Sequence, residues 1–263
     1  GKDINLAGAS IIGPSITGTP SLTVTIRLSE AQRVQAIALS STQGGDGSAL
    51  TADFDVGALS DVGRNPSLGA TGILVAETDD LVVPTITGAS INYSTAVITI
   101  SSSETIDTTP AFKVDTSKLF LSSIAGDKTI SLSGSLVETV DGLTITLTLL
   151  DEIRRAQAIE LSGTPGGDNS AMVFDVLANG ILDVAQNANA QTFGVTLSEF
   201  PDTVPPRIIQ GAFVTLGDGI LVIQASETIL NSSVVFSGMR IVNNTGESDI
   251  SLVGATILGQ NGN

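Results

Sequence analysis

The sequence predicts an all-β chain of tandem antiparallel β-sandwiches, on three observations. The stretch from Ala36 to Asn65, AIALSSTQGGDGSALTADFDVGALSDVGRN, returns from Ala158 to Asn187 as AIELSGTPGGDNSAMVFDVLANGILDVAQN. The anchors Ile37 and Ile159, Gly44 and Gly166, Asp61 and Asp183, and Pro84 and Pro206 all lie 122 residues apart, the size of a domain and not of a solenoid unit. Short runs that alternate apolar and polar side chains are separated by turns rich in Gly, Asn and Asp, and no long helical period interrupts them.

Residues 1–82 read as strands and turns. Leu22 to Leu28, LTVTIRL, puts Leu22, Val24, Ile26 and Leu28 on one face of a half-buried strand. Ser29 to Val34, matched by Asp151 to Ala156, offers an N-cap and one or two helical turns, a short crossing between strands. The apolar AIALS, the Gly44 to Gly47 turn, a strand around Leu50 to Val56, an Asp-containing loop to Asn65 and a closing strand from Gly72 to Ala76 follow. Asp79 to Pro84 and Pro201 to Pro206 read as linkers, because proline fixes φ and holds the preceding residue extended. The expected domains are therefore 1–82, the C-terminal part of one repeat, 83–204, a complete repeat, and 205–263, the N-terminal part of a third.

In the complete repeat, Ile86 to Ile91 and Ala96 to Ser101 form a hairpin with Ala96, Ile98 and Ile100 on one face. Strands are expected next at Lys118 to Ser122, Thr129 to Leu132, Leu143 to Leu149, Ala158 to Leu161, Ala171 to Val176 and Thr192 to Leu197. After Pro206 the pattern restarts: Ser103-Glu104-Thr105-Ile106 returns as Ser226-Glu227-Thr228-Ile229, and Ile130-Ser131-Leu132 as Ile250-Ser251-Leu252 and, earlier, as Ile4-Asn5-Leu6. Incomplete sandwiches at both chain ends would expose strand edges and half an apolar core. Two readings follow: a window on a longer array, or a C-terminal part of one chain completed by the N-terminal part of the next, head to tail.

Composition narrows the function. Hydrophobic residues make up 41% of the chain but aromatics only 3%, so the core must be aliphatic. With no Cys and no His there is no disulfide, thiolate metal site, histidine zinc ligand or histidine general base. No GxSxG, HExxH or GxxxxGK motif is present, and the chain is expected not to be an enzyme. Abundant carboxylates keep a glycosidase or sugar-binding module as a lesser reading, against the shortage of aromatic platforms. A net charge of −16 and a pI near 4.1 argue against nucleic acid as a partner and for a solvated, self-repelling surface. No apolar run approaches the ~18 residues of a membrane helix, so membrane insertion is not expected, and no basic, apolar leader stands at Gly1.

The motifs TVPP at the linker, Ser-Glu-Thr-Ile ending a hairpin, Val114-Asp115-Thr116-Ser117-Lys118 before a strand and Asp183-Val184-Ala185-Gln186-Asn187 late in the unit resemble tandem immunoglobulin-like repeats, bacterial Ig-like or cadherin-like, of surface adhesins and extracellular fibres. Such repeats often read D-T-x-P-P, F-S-E-P, V-D-x-S-K and D-x-x-G-N. This chain departs from them with Thr105 and Thr228 in place of Pro and Gln186 in place of Gly. The resemblance implies an extracellular or cell-surface filament protein whose partners are copies of itself or adjoining repeats. The alternative it implies is an adhesin stalk whose ligand-binding domain lies elsewhere.

Calcium is the candidate ligand. Asp46, Asp55 and Asp61, matched to Asp168, Asp175 and Asp183 with a small local gap, sit in or beside Gly-containing turns together with Asn65 or Asn187, and hard cations take several oxygen ligands from such loops. The cadherin-like resemblance would add Glu104 or Glu227 and the linker acids Asp80 or Asp202. The competing reading is that these Asp side chains cap their own turns. Asn92, Asn231 and Asn243 fit the N-glycosylation acceptor pattern, against ordinary polar loop residues.

Overall fold

Alternation at a period of two becomes a curled sheet in the middle of the chain. The computed structural model describes residues 3–13, 21–209, 212–243, 245–246 and 248–258. It divides into two compact units, Gly1–Asp202 and Thr203–Asn263. The first begins with β1 (Ser10–Gly13) paired antiparallel to β2 (Thr25–Arg27), then α1 (Glu30–Leu39), then β3 (Thr51–Phe54) paired antiparallel to β4 (Ala70–Leu74). Residues 83–202 follow with β5 (Ile86–Asn92), β6 (Val97–Ile106), β7 (Leu119–Ser123), β8 (Thr129–Ser131), β9 (Leu136–Val137), β10 (Gly142–Thr148), α2 (Glu152–Glu160), β11 (Met172–Val176) and β12 (Thr192–Phe200).

These eight strands form one sheet in the order β8-β7-β11-β12-β5-β6-β10-β9. The expected antiparallel pairing holds everywhere except between β12 and β5, which run parallel with Leu197 opposite Ala89 and Phe200 opposite Asn92. The sheet curls so that both arms face one core, aliphatic except for Tyr93 and Phe174, in which Ile91, Ile98 and Leu147 from one arm and Leu119, Leu121 and Phe174 from the other are fully buried. Ile98 and Ile100 share the buried face of β6, as the alternation predicts, while Ala96, expected on the same strand, is buried in the turn just before it.

The sequence reading of one or two helical turns, and of a strand at Ala158 to Leu161, is corrected: α1 runs on into AIALS as far as Leu39 and α2 through Ala158 to Glu160. Ser29 caps α1 by accepting from the Gln32 N–H while the Gln32 side chain accepts from the Ser29 N–H, and the Asp151 carboxylate accepts from the Ile153 and Arg154 N–H groups. Once nucleated in this way, each helix meets no Gly or Pro until after its last turn. Arg155 and Ala158, three apart, turn one face of α2 inward. Each helix ends in the Gly-Gly turn, where a Cβ on Gly45 or on Gly167 would lie 2.1 Å from the Ser40 or Ser162 carbonyl oxygen. Only glycine fits there.

The second unit holds β13 (Phe213–Thr215) paired antiparallel to β14 (Ile220–Val222), and β15 (Arg240–Val242) paired antiparallel to β16 (Asp249–Ser251). Among the described residues no helix is long and apolar enough to cross a membrane. The chain is strand-rich with few helices.

Candidate functional site

The repeat is written in hydrogen bonds as well as in letters. Asp61 accepts from the Asn65 backbone and side-chain N–H groups, and Asp183 accepts from those of Asn187 in the same way. Both loops carry a non-glycine residue in the left-handed region, Arg64 at φ 66° and Gln186 at φ 68°. A backbone of this hand favours glycine, which neither loop has at this position. Glu77 accepts from the Ser41 and Leu50 N–H groups as Glu199 does from Gly163 and Met172.

The N-terminal segment meets the curled sheet at one joint. Glu30 on α1 accepts from the Thr105 N–H and hydroxyl, at 3.0 and 2.8 Å. Arg33 pairs with Glu30 at 2.8 Å, with Asp80 in a short ion pair, and with Glu104 at 3.8 Å. The Asn187 side chain donates to the Asp80 carbonyl at 3.0 Å. Gly44 packs so closely on the Asp183 to Asn187 loop that a Cβ there would lie 2.2 Å from the Val184 carbonyl oxygen.

At the centre of this joint lies an acidic triad that can hold a metal ion: one carboxylate oxygen each from Asp80, Glu104 and Asp183, all within 4.8 Å of one another. The linker supplies Asp80, the end of β6 supplies Glu104, and the loop before β12 supplies the fully buried Asp183. Glu104 Oε2 is buried without a hydrogen-bond partner. Burial pushes the Glu104 carboxyl up to about 7; the Arg33 charge opposes this, and Asp80 and Asp183 reinforce it. Glu30 goes the other way, held down at about 2, chiefly by its hydrogen bond to Arg33 and also by Thr105.

Of the six loop aspartates the sequence singles out, only Asp183 enters this triad; it is joined there by Asp80 and Glu104, which the cadherin-like resemblance supplies. Asp46 and Asp168 are exposed and accept from the Ser48 and Ser170 N–H groups two residues on, as turn-capping aspartates do. Asp175 accepts from the Gly194 N–H, and its structural counterpart is Asp53, which accepts from the Gly72 N–H. The pairing of Asp55 with Asp175 is therefore corrected: Asp55 is exposed, and the 122-residue offset holds without a gap. Asn92 is half-buried with Oδ1 accepting from the Ser94 and Thr95 N–H groups, whereas Asn231 and Asn243 are exposed.

Sequence reasoning missed Glu30 and Arg33. Nothing marked them beyond their place on a capped helix and their i, i+3 spacing, since their partners outside the helix lie 47 to 75 residues away. No family model matches this sequence, and no curated protein or solved structure is significantly similar to it.

Proposed function

We propose that this chain is a non-catalytic structural protein of the cell exterior, built from tandem immunoglobulin-like β-sandwich repeats that form, or belong to, a fibre or stalk. The observation that carries the reading is a contrast in burial at equivalent positions. Ile145 and Leu147 are 1% and 0% exposed in the central repeat, while their counterparts Val24 and Ile26 in the N-terminal segment are 49% and 43% exposed. Ile100 and Ile130 are 1% and 5% exposed, while Ile223 and Ile250 in the C-terminal unit are 41% and 65% exposed. Covering what is still exposed of such a side chain is worth about 1 kcal/mol. Several such positions per segment give each a strong drive to meet the half-repeat it matches.

The joint makes such an array stiff. Calcium is the ion the Asp80, Glu104 and Asp183 carboxylates suit, because a hard divalent cation takes several carboxylate oxygens and would neutralise three acids faced by one arginine. Binding would hold the linker and the repeat together at the joint and displace the proton that burial keeps on Glu104.

Electron microscopy with intact mass on the same sample tests the reading. Filaments are the expected result, with a subunit mass near 26.7 kDa for chains that complete one another. Filaments of a much heavier chain would identify this sequence as part of a longer array or stalk. Compact single particles of this mass overturn the fibre. For the ion, isothermal titration of the chelator-stripped protein with calcium should give binding that tightens as pH rises through about 7 and releases close to one proton at pH 6; no heat and no proton release would leave the triad as a structural cluster only.

A further inference from the structure

Resting on the fibre reading, we infer that the exposed face of β2 and β3 is covered by β14 and β15 of a second copy of this chain, in the register the central repeat uses internally. The counterparts are fixed by shared pairing. Ile130 opposite Leu121 in the central repeat becomes Ile250 opposite Ile241, and Ile91 opposite Ile98 becomes Val214 opposite Leu221. In the central repeat β10 lies on β6 with Ile145 opposite Ile100 and Leu147 opposite Ile98. Transferred to the joint between copies, Val24 of one copy faces Ile223 of the other and Ile26 faces Leu221. These are the side chains left exposed or half-exposed in each segment alone.

Charge complementarity at the second strand pair points to the same occupant. Within the central repeat Phe120 stands opposite Asp175. The counterpart of Phe120 is Arg240, opposite Ser251 as Phe120 is opposite Ser131, and the counterpart of Asp175 is Asp53. The apolar–acidic pair inside one repeat thus becomes an arginine–aspartate pair at the joint between copies. The core volumes also compensate: Phe174 and Val176 give way to Ala52 and Phe54, so a large side chain lost at one position returns two residues on, on the same face of the strand.

Cysteine cross-linking tests both the partner and the register, because the chain has no Cys of its own. Thr99 stands opposite Thr146 on the half-buried outer face of the central sheet, so Val222→Cys and Thr25→Cys mark the equivalent pair between copies. Oxidation of the double variant should give a covalent ladder of multiples of the chain mass. Mixing the two single variants should give dimers, and moving the second cysteine to Thr23→Cys should cut the yield severalfold. Arg240→Asp should raise the concentration needed for assembly about tenfold, and adding Asp53→Arg should restore it. Filaments without the cross-link would overturn this partner and register and leave the fibre standing. Monodisperse particles without the cross-link would overturn both. Loss of both thiols at unchanged mass would show the face covered within one chain and overturn the second copy as its occupant.

Discussion

The loops Asp61 to Asn65 and Asp183 to Asn187 make the same hydrogen bonds in different surroundings. Asp183 is fully buried and Asp61 is exposed. The same holds for the strand pairs around them: β2 keeps β1 in the register that β10 keeps with β9, yet its one apolar side chain, Ile26, is 43% exposed where Leu147 is fully buried. Turn geometry, capping and strand pairing are therefore local properties of each segment. Burial depends on what packs against it.

Substitution at matched positions should break this comparison most sharply in the core. Leu147→Ala should cost about 3 kcal/mol in denaturant unfolding, and Ile26→Ala under about 1 kcal/mol in dilute protein. In assembled material the two costs should converge; equal costs in dilute protein would mean that the N-terminal face is already covered. Asp183→Ala should cost about 2 kcal/mol, because it strands the part-buried amide donors of Asn187, and Asp61→Ala should cost far less, because water replaces the carboxylate. Gly44→Ala and Gly166→Ala both strain a left-handed backbone, at about 1 kcal/mol each, but only Gly44→Ala collides with the Val184 carbonyl. Faster hydrogen exchange at the Asn187 N–H in Gly44→Ala alone would place that cost in the joint.

The smallest effect is electrostatic. A carboxyl raised to about 7 keeps its proton in the folded protein while the unfolded chain loses it near 4.5, so the Glu104 contribution is full below about 4.5 and is lost as pH rises to about 7. Glu30, held at about 2, contributes in full above about 4.5 and fades as pH falls towards 2. Glu104→Gln should flatten the stability curve between pH 4.5 and 7 in metal-free buffer and leave its acid limb in place. An unchanged curve would mean that Glu104 is solvated in solution.

Local features were legible in the sequence because they depend on neighbours in the chain. The LTITLTL alternation, the Ser29 and Asp151 caps and the Gly-Gly turn formed where their residues predicted, whereas LTVTIRL is corrected: it is strand only over Thr25–Arg27, and Leu22, Val24 and Ile26 are exposed where a half-buried strand was expected. The extent of α1 and α2 was not legible, since AIALS suits a buried strand or a buried helical turn equally, and the cap and the inward face of the helix decide between them. Nor was the joint: Glu30, Arg33, Asp80, Glu104 and Asp183 come from five separate places in the chain. Only the strict 122-residue spacing, followed without a gap, would have identified Asp53 as the counterpart of Asp175.

The parallel pairing of β5 with β12 bears on how the central repeat would respond to tension. The chain enters the repeat at the start of β5 and leaves it at the end of β12, and the two strands lie side by side with Leu197 to Phe200 against Ala89 to Asn92. Tension along the chain therefore pulls the strands in opposite directions along their length. The rungs between them are stretched together and cannot be unzipped one at a time, so rupture demands that all of them fail at once.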